Sequence, residues 1–431
     1  MPIDLSAWQT LPLEACMAAI IDYRGKTPKK TSFGVPLVTA KIVKGGRIET
    51  PTEFIAPGDY DAWMRRGLPQ AGDVLITTEA PLGEVAQLDD RKVALAQRLI
   101  CLRADPSLLE NRFLNYLLQS SEVQQELRAR ATGTTVLGIK QSELRRVALC
   151  FPPLGEQRAI AQVLGALDDK IELNRRMNET LEEMARALFQ SWFVDFDPVR
   201  AKMEGRQPYG MDAATASLFP DCFEESDLGP IPRGWQAGVL GDVAESPRRT
   251  IKPEAIPADT PYFGLEHMPR GSIALTDWGK AEKVTSGKFQ FEEGEILFGK
   301  LRPYFHKVGV APVSGVCSTD ILVVIPKARP FFSFVLGHAS SSALIEHANA
   351  TSTGTRMPRT KWKDLALFGV ALPPTEIVER YGDVVGPLLA KIKQSIHESH
   401  TLEATRDALL PKLLSGEIRI GEAERQVEAV V

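Results

Sequence analysis

"TGTTVLGIKQSELRRVALCFPP", residues 132–153, and "STGTRMPRTKWKDLALFGVALPP", residues 352–374, are two versions of one pattern inside a single chain. Gly133 matches Gly354, Leu144 matches Leu365 and Pro153 matches Pro374, each 221 positions further on. The same offset continues beyond the prolines, where "TLEEMARALF" from Thr180 aligns with "TLEATRDALL" from Thr401. A gapless echo of this length marks a duplicated unit, and a duplication constrains the fold before any single element is assigned.

The front half of the repeat is weaker. "AGDVLITTEAPLGEVA" from Ala71 resembles "EGEILFGKLRPYFHKVGVA" from Glu293, and a tryptophan opens each copy, Trp8 and Trp235. Apolar runs such as "GVPLVTA", "DVLIT", "EILF" and "DILVVIP", bounded by Gly and Pro, read as strands. Each copy therefore predicts a β-rich domain followed by a long helix. The fold class is α+β, with a first domain over 1–150, a helix over 151–194 and a polar linker over 195–234. A second domain over 235–371, a second helix over 372–415 and a C-terminal tail over 416–431 complete the chain.

The helices carry the clearest periodicity. After Pro152 and Pro153, which suit a helix start, apolar or small residues fall at Ile160, Leu164, Leu167, Ile171, Leu181, Ala185, Leu188 and Trp192. Alternating steps of four and three make a heptad seam. Asn174 and Asn178 occupy its middle. The second seam runs through Tyr381, Val385, Leu388, Ile392, Ser395, Ser399, Leu402, Arg406, Leu409 and Leu413, with its polar middle at the equivalent place. Two such helices bury their seams most simply against each other, and an antiparallel coiled coil brings the polar middles together. A helix of roughly 39 residues is about 58 Å long at 1.5 Å per residue.

At 431 residues the chain exceeds what one core supports. Its 44% hydrophobic and 25% charged residues describe a soluble, folded protein. Met1–Thr10 lacks the basic start and apolar run of a signal peptide, and no stretch has the roughly 20 apolar residues of a membrane span, so a cytoplasmic location is expected. Cys16, Cys101, Cys150, Cys222 and Cys317 are odd in number, scattered and without a CxxC pair, which points to neither a zinc site nor a disulfide framework.

Catalytic patterns are sparse. Asp195 and Asp197 in "FVDFDPVR" offer two carboxylates to a divalent cation, but no further ligand or base accompanies them locally, and Pro198 favours a helix end. "GEILFGKL" has P-loop spacing through Lys300, yet Leu301 replaces the hydroxyl residue that binds Mg²⁺, and its interior is strand-like. "DDRK", Asp89 to Lys92, reads as a charged turn. His397 and His400 lie outside any HExxH pattern and read as a solvated helix face. No GxSxG or dinucleotide fingerprint is present. Catalysis by this chain alone is not expected; a metal-dependent nuclease built on Asp195 and Asp197, and a coiled-coil scaffold without DNA specificity, are the competing classes.

A formal charge of −4 hides basic patches. Between Asp22 and Glu49 stand Arg24, Lys26, Lys29, Lys30, Lys41, Lys44 and Arg47. The second half has "GKLRPYFHK" and "TRMPRTKWK". Clustered Lys and Arg neutralise phosphates, while Thr, Gln, His and Arg on nearby loops reach base edges.

With these patterns in place, "PPLGEQRAIAQVLGALDDKIELNRRMNETLEEMARALFQSWFVDFDPVRAK", "DYRGKTPKK", "TGTTVLGIKQSEL", "FGKLRP" and "GTRMPRTKWKDL" resemble the type I restriction-modification specificity (S) subunits. The resemblance implies two target recognition domains in tandem, each followed by a conserved helix, the helices pairing as an antiparallel coiled coil that spaces them. It implies that each domain reads one part of a split site in double-stranded DNA. It further implies that two methyltransferase (M) subunits dock and methylate adenine with S-adenosylmethionine, that restriction (R) subunits join to cleave with ATP and Mg²⁺, and that no cofactor is expected in this chain. The expected DNA contacts are Arg24, Lys26, Thr27, Lys29, Lys41, Thr134, Thr135 and Lys140 in the first half. In the second they are Lys300, Arg302, Tyr304, Thr355, Arg356 and Lys361. Glu156, Gln157 and Trp192 are the expected partner-docking positions on the helices. The second helix departs from the pattern: "TEIVERY" stands where the first has "LGEQRAI", without counterparts of Glu156 and Gln157. As a ruler, a 58 Å helix spans about 17 base pairs at 3.4 Å each.

Overall fold

The computed structural model describes residues 7–23 and 27–430. The chain divides into two units, Met1–Ile171 with Thr401–Val431, and Glu172–His400. Each is built around a four-stranded antiparallel sheet of the same connectivity. In the first unit the strands are β1 (Met17–Asp22), β2 (Val74–Thr78), β3 (Leu82–Gln87) and β4 (Leu99–Ala104), in the spatial order β1-β4-β2-β3. In the second they are β5 (Ala244–Glu245), β6 (Ile296–Gly299), β7 (Val308–Val310) and β8 (Ile321–Pro326), in the order β5-β8-β6-β7. The central strands β2 and β6 are buried at every residue, which explains why "VLITT" and "ILFG" show no polar–apolar alternation: both faces are covered.

A second sheet completes each domain. Val35–Val38 pairs in parallel with Ala94–Leu95 in the first unit, and Pro261–Phe263 pairs in parallel with Gly315–Cys317 in the second. Each domain is also fastened from head to tail. Gln9–Pro12 runs antiparallel to Ala148–Phe151, and Gln236–Val239 to Gly369–Leu372. Two prolines follow each closing strand, and a 40-residue helix begins at once: α1 (Leu154–Phe193) and α2 (Thr375–Leu414).

The predicted seams are the buried faces. In the first unit Ile160, Leu164, Leu167 and Ile171 of α1 share a core with Leu402, Leu409 and Leu413 of α2. Arg406 Nη1 donates to Asp168 Oδ1 at 2.8 Å, with Arg406 21% exposed at its side chain. In the second unit Ala185 and Trp192 meet Tyr381 and Val385. Partners on α2 fall in number as those on α1 rise, which is the antiparallel pairing expected from the seams. The polar middles do meet: Asn174 Nδ2 donates to Ser399 Oγ at 3.3 Å and Glu398 Oε2 at 3.0 Å. A buried Asn174 is tolerated there because it bonds to half-buried Ser399 and Glu398.

Four segments are more ordered than their composition suggests. Residues 197–203 and 213–218 form short helices, and Phe223–Ser226 pairs with Gly229–Pro232 as a hairpin. Val199, Phe219 and Ile231 bury against Trp192, Phe193 and Trp235. At the C-terminus, Ile420–Glu428 is a helix whose Ala423 and Val427 join the core that holds Ile160 and Leu164. His397 is exposed, as expected, but His400 is half-buried, and both rings meet loops of the domain. His400 stacks on Trp278 with ring centroids 3.9 Å apart and bonds through Nε2 to Thr276 O at 2.8 Å, and His397 Nε2 lies 3.1 Å from Pro312 O. The helical period cannot reveal this, because the covering loops are distant in sequence.

Candidate nucleic-acid interface

The two loops that opened the sequence, Thr132–Lys140 and Thr353–Lys361, close in the same way. Thr132 N donates to Gly138 O at 2.8 Å and Gly138 N to Thr132 O at 2.9 Å; Thr353 and Arg359 exchange the matching pair, both at 3.0 Å. The turn needs glycine at its second residue, with φ +112° at Gly133 and +102° at Gly354. The base of each loop is tied to the end of the central strand, Ile139 N to Thr78 O at 3.0 Å and Thr360 N to Lys300 O at 3.1 Å. That strand end is in turn bonded to the start of the neighbouring strand, Thr78 N to Arg98 O and Lys300 N to Asp320 O, both at 2.9 Å. Three segments therefore converge at one point of each sheet, and the loop tips project from it.

In the first unit the tip residues Thr134 and Thr135 are exposed, beside half-exposed Val136 and Leu137. Behind them opens a cleft of about 470 Å³ lined by Thr78, Glu79, Gln97, Arg98, Thr132 and Lys140. Thr27 reaches it by accepting from Gln97 Nε2 at 3.1 Å. Lys29 and Lys41 are exposed but stand beside the second sheet, away from that lining; Arg24 and Lys26 lie outside the described residues.

In the second unit all six expected residues come together. Arg302 N donates to Pro358 O at 2.7 Å and Arg302 Nη2 lies 3.4 Å from Arg356 O. Tyr304 and Arg356 are exposed, as are Thr355 and Lys361. Phe305 is flanked by Tyr304 at 4.8 Å between centroids and by the Arg270 guanidinium at 4.0 Å. Burial holds the Lys300 ammonium below its ordinary pKa; Asp320 opposes that shift, while Arg248 and Arg359 add to it. A partly desolvated cation among other cations is electrostatically prepared for an anion.

The helix positions behave differently. Gln157 is wholly buried; its Nε2 donates to Pro152 O at 2.8 Å and Leu108 O at 3.0 Å, and its Oε1 accepts from Glu110 N at 2.9 Å. It fixes the helix start to its own domain. Val378, the residue 221 positions on, is also 0% exposed but apolar. Trp192 is buried between Phe219 and Tyr381. Glu156 is half-buried, which raises its carboxyl pKa. Asp195 and Asp197 are exposed at the end of α1; Gln190 Nε2 donates to Asp195 Oδ1 at 3.0 Å, and Asp197 opens the next short helix. Among the described residues no group of three or more His, Cys, Asp or Glu is placed to hold a metal ion.

The sequence reading took Arg359 only as part of a basic patch and missed Glu79, Gln97, Arg98, Asp320 and Arg270. A signal existed for part of this set, since "EAP" at 79–81 aligns with "LRP" at 301–303. Gln97 and Arg98 lie in a turn with no motif of its own.

Two β domains of one design, each with a loop tied to the end of its central strand and each followed by a long helix, make a tandem chain with two candidate nucleic-acid surfaces. Comparison with known proteins narrows the class. Residues 40–183 match the family model of the type I restriction modification DNA specificity domain. The chain is 27% identical over 364 residues to the type I restriction enzyme MjaIX specificity subunit of Methanocaldococcus jannaschii, covering 81% of this chain and 78% of the relative. It is 25% identical over 373 residues to the HindI specificity subunit of Haemophilus influenzae, covering 75% and 81%. The fold is shared with the crystal structure of a type I restriction-modification S subunit from M. genitalium, with a TM-score of 0.54 at 17% identity over 96% of this chain and 98% of that one. The resemblance read from the motifs is borne out: the chain is similar to type I restriction-modification specificity subunits over most of its length.

Proposed function

We propose that this chain reads a split target in double-stranded DNA, one half-site per unit, and carries no catalytic groups of its own. The observation that supports this most is a duplicated arrangement: the same three-way convergence of strand end, turn and loop, with different side chains in the two copies. Identical scaffolds with different polar linings suit two different half-sites. Lys140, Lys300 and Lys361 supply charge to phosphates, and the loop threonines and arginines are placed for base edges.

Methyltransferase subunits are the proposed docking partners, with restriction subunits joining them. S-adenosylmethionine, ATP and Mg²⁺ then belong to those chains. Support for docking comes from one flank of α1 and its end, where Leu173, Met184 and Val194 are 58%, 48% and 44% exposed. Leu173 and Met184, with half-buried Met177 between, lie at helical spacing along one side of the buried seam. No helix among the described residues is long and apolar enough to cross a membrane, consistent with a place in the cytoplasm beside DNA.

The test is to express the chain with its methyltransferase partner and to sequence the methylated adenines. A single motif with two specified ends and an unspecified middle is expected. Exchanging residues 8–132 for those of another family member is expected to change one end only. A change at both ends, or methylation without a split motif, would reject the reading.

A further inference from the structure

We propose that Arg98 is the base-reading side chain of the first domain and that it recognises the guanine of a G·C pair in one half-site; the proposal rests on the DNA-reading function above. Its starting point is backbone geometry. Among the described residues five non-glycine positions have positive φ, and three of them stand at these convergence points: Ala80 (+52°), Arg98 (+70°) and Arg302 (+51°). A side chain strains such a backbone and glycine would relieve it, so a large residue kept there suggests that its side chain is required.

The two clefts answer each other in an uneven way. Ala80 and Arg302 are equivalent, each preceding a proline, and Arg98 and Asp320 are equivalent through their matching backbone bonds to Thr78 and Lys300. Each cleft thus holds one strained arginine, but from opposite walls. In the first it stands on the turn before β4, and in the second on the segment after β6. The strained backbone before the proline is common to both copies, Ala80 and Arg302, whereas Arg98 strains a position whose equivalent, Asp320, is not strained; the scaffold alone does not require it.

Arg98 is available for a ligand. Its Nε lies 3.6 Å from Glu79 Oε2, with both side chains nearly half exposed, too loose a pairing to account for the backbone it strains. The chemistry of that pair favours a base over a phosphate. A guanidinium fork matches O6 and N7 of guanine, and a carboxylate accepts from cytosine N4; a carboxylate would repel a phosphate. The second cleft has its own version, Arg302 with a buried Nε that lacks a hydrogen-bond partner, and Asp320 3.1 Å from Arg359 Nε.

The experiment uses the full chain with its methyltransferase partner, and the readout is the methylated motif. Arg98→Gly relieves the backbone, so its melting temperature is expected to be unchanged or higher. It should lose about tenfold to a hundredfold of discrimination at one G·C position of one half-site, leaving the other half-site intact. Arg98→Lys keeps the charge without the fork and should relax the same position. Arg302→Gly should relax the opposite half-site. An unchanged motif, whether methylation is normal or falls alike at all sites, would overturn the proposal, as would relaxation of the same half-site by both arginine variants. A wild-type complex that methylates without a split motif would instead reject the DNA-reading function beneath it.

Discussion

Glu182 is a carboxylate that the heptad pattern places near the apolar seam, and the second unit gives it a specific task. It is 6% exposed and accepts from Ser272 Oγ at 2.7 Å and from the backbone N–H groups of Ile273 and Ala274, both at 3.0 Å. Arg186 adds a bond to Gly271 O at 3.0 Å, so two helix residues hold one loop of the domain. Burial raises the Glu182 pKa, and the three donors and Arg186 pull it back only in part. The folded protein therefore binds this proton more readily than the unfolded chain does. Relative to Glu182→Gln, wild-type stability should be greatest below the ordinary glutamate pKa. It should then decline as pH rises through the elevated one. Urea unfolding at a series of pH values checks the sign, and a difference that grows with pH would refute it. Glu182→Ala strands the two backbone donors and should cost roughly 2–6 kcal/mol, at about 1–3 kcal/mol for each unsatisfied buried group. Nothing in the sequence announces this role, since Glu183 beside it looks alike and is exposed.

At the scale of the element, the two loops share a hydrogen-bond pattern but not their tolerance. A Cβ on Gly133 would lie 2.2 Å from Val136 O, a backbone atom that cannot move without opening the loop, whereas one on Gly354 would lie 3.3 Å from Met357 O. Both positions also carry a φ that alanine resists. Gly133→Ala should therefore cost about 1–3 kcal/mol of local stability beyond Gly354→Ala. Hydrogen exchange should show the Gly138 amide losing protection in the first variant and the Arg359 amide largely keeping it in the second. Equal losses would show that strain at φ, and not the clash, dominates. These loops were legible because they repeat, and α1 and α2 were legible because their period persists over many turns. The short helices at 197–203 and 213–218 were not, since they are too brief for a period and are held by Trp192, Phe193 and Trp235 from elsewhere. The cleft was half legible: its loop repeats, whereas Arg98 sits on the far wall in a turn whose importance arises only when three segments converge. Gln157 shows the converse. Its place in a recognisable motif suggested a partner surface, and its three hydrogen bonds point into its own domain.

For the whole molecule, the proposed function makes α1 and α2 the part that sets the distance between half-sites, and their physics states by how much. Both helices are 40 residues long, and both keep their seams buried through alternating steps of four and three. A seven-residue insertion preserves that seam, whereas an insertion of another length rotates the apolar face away from its partner. Seven residues add about 10 Å of helix at 1.5 Å each, or roughly three base pairs at 3.4 Å. Because the pairing is antiparallel, the insertion must be made in both helices, at facing positions such as after Ile171 in α1 and after Thr401 in α2. One insertion alone would leave apolar residues opposite nothing and should lower the melting temperature. The doubly lengthened chain, expressed with its methyltransferase partner, should methylate a motif whose two ends are unchanged and whose unspecified middle is longer by roughly three base pairs. An unchanged middle with normal folding would show that the helices do not measure the site.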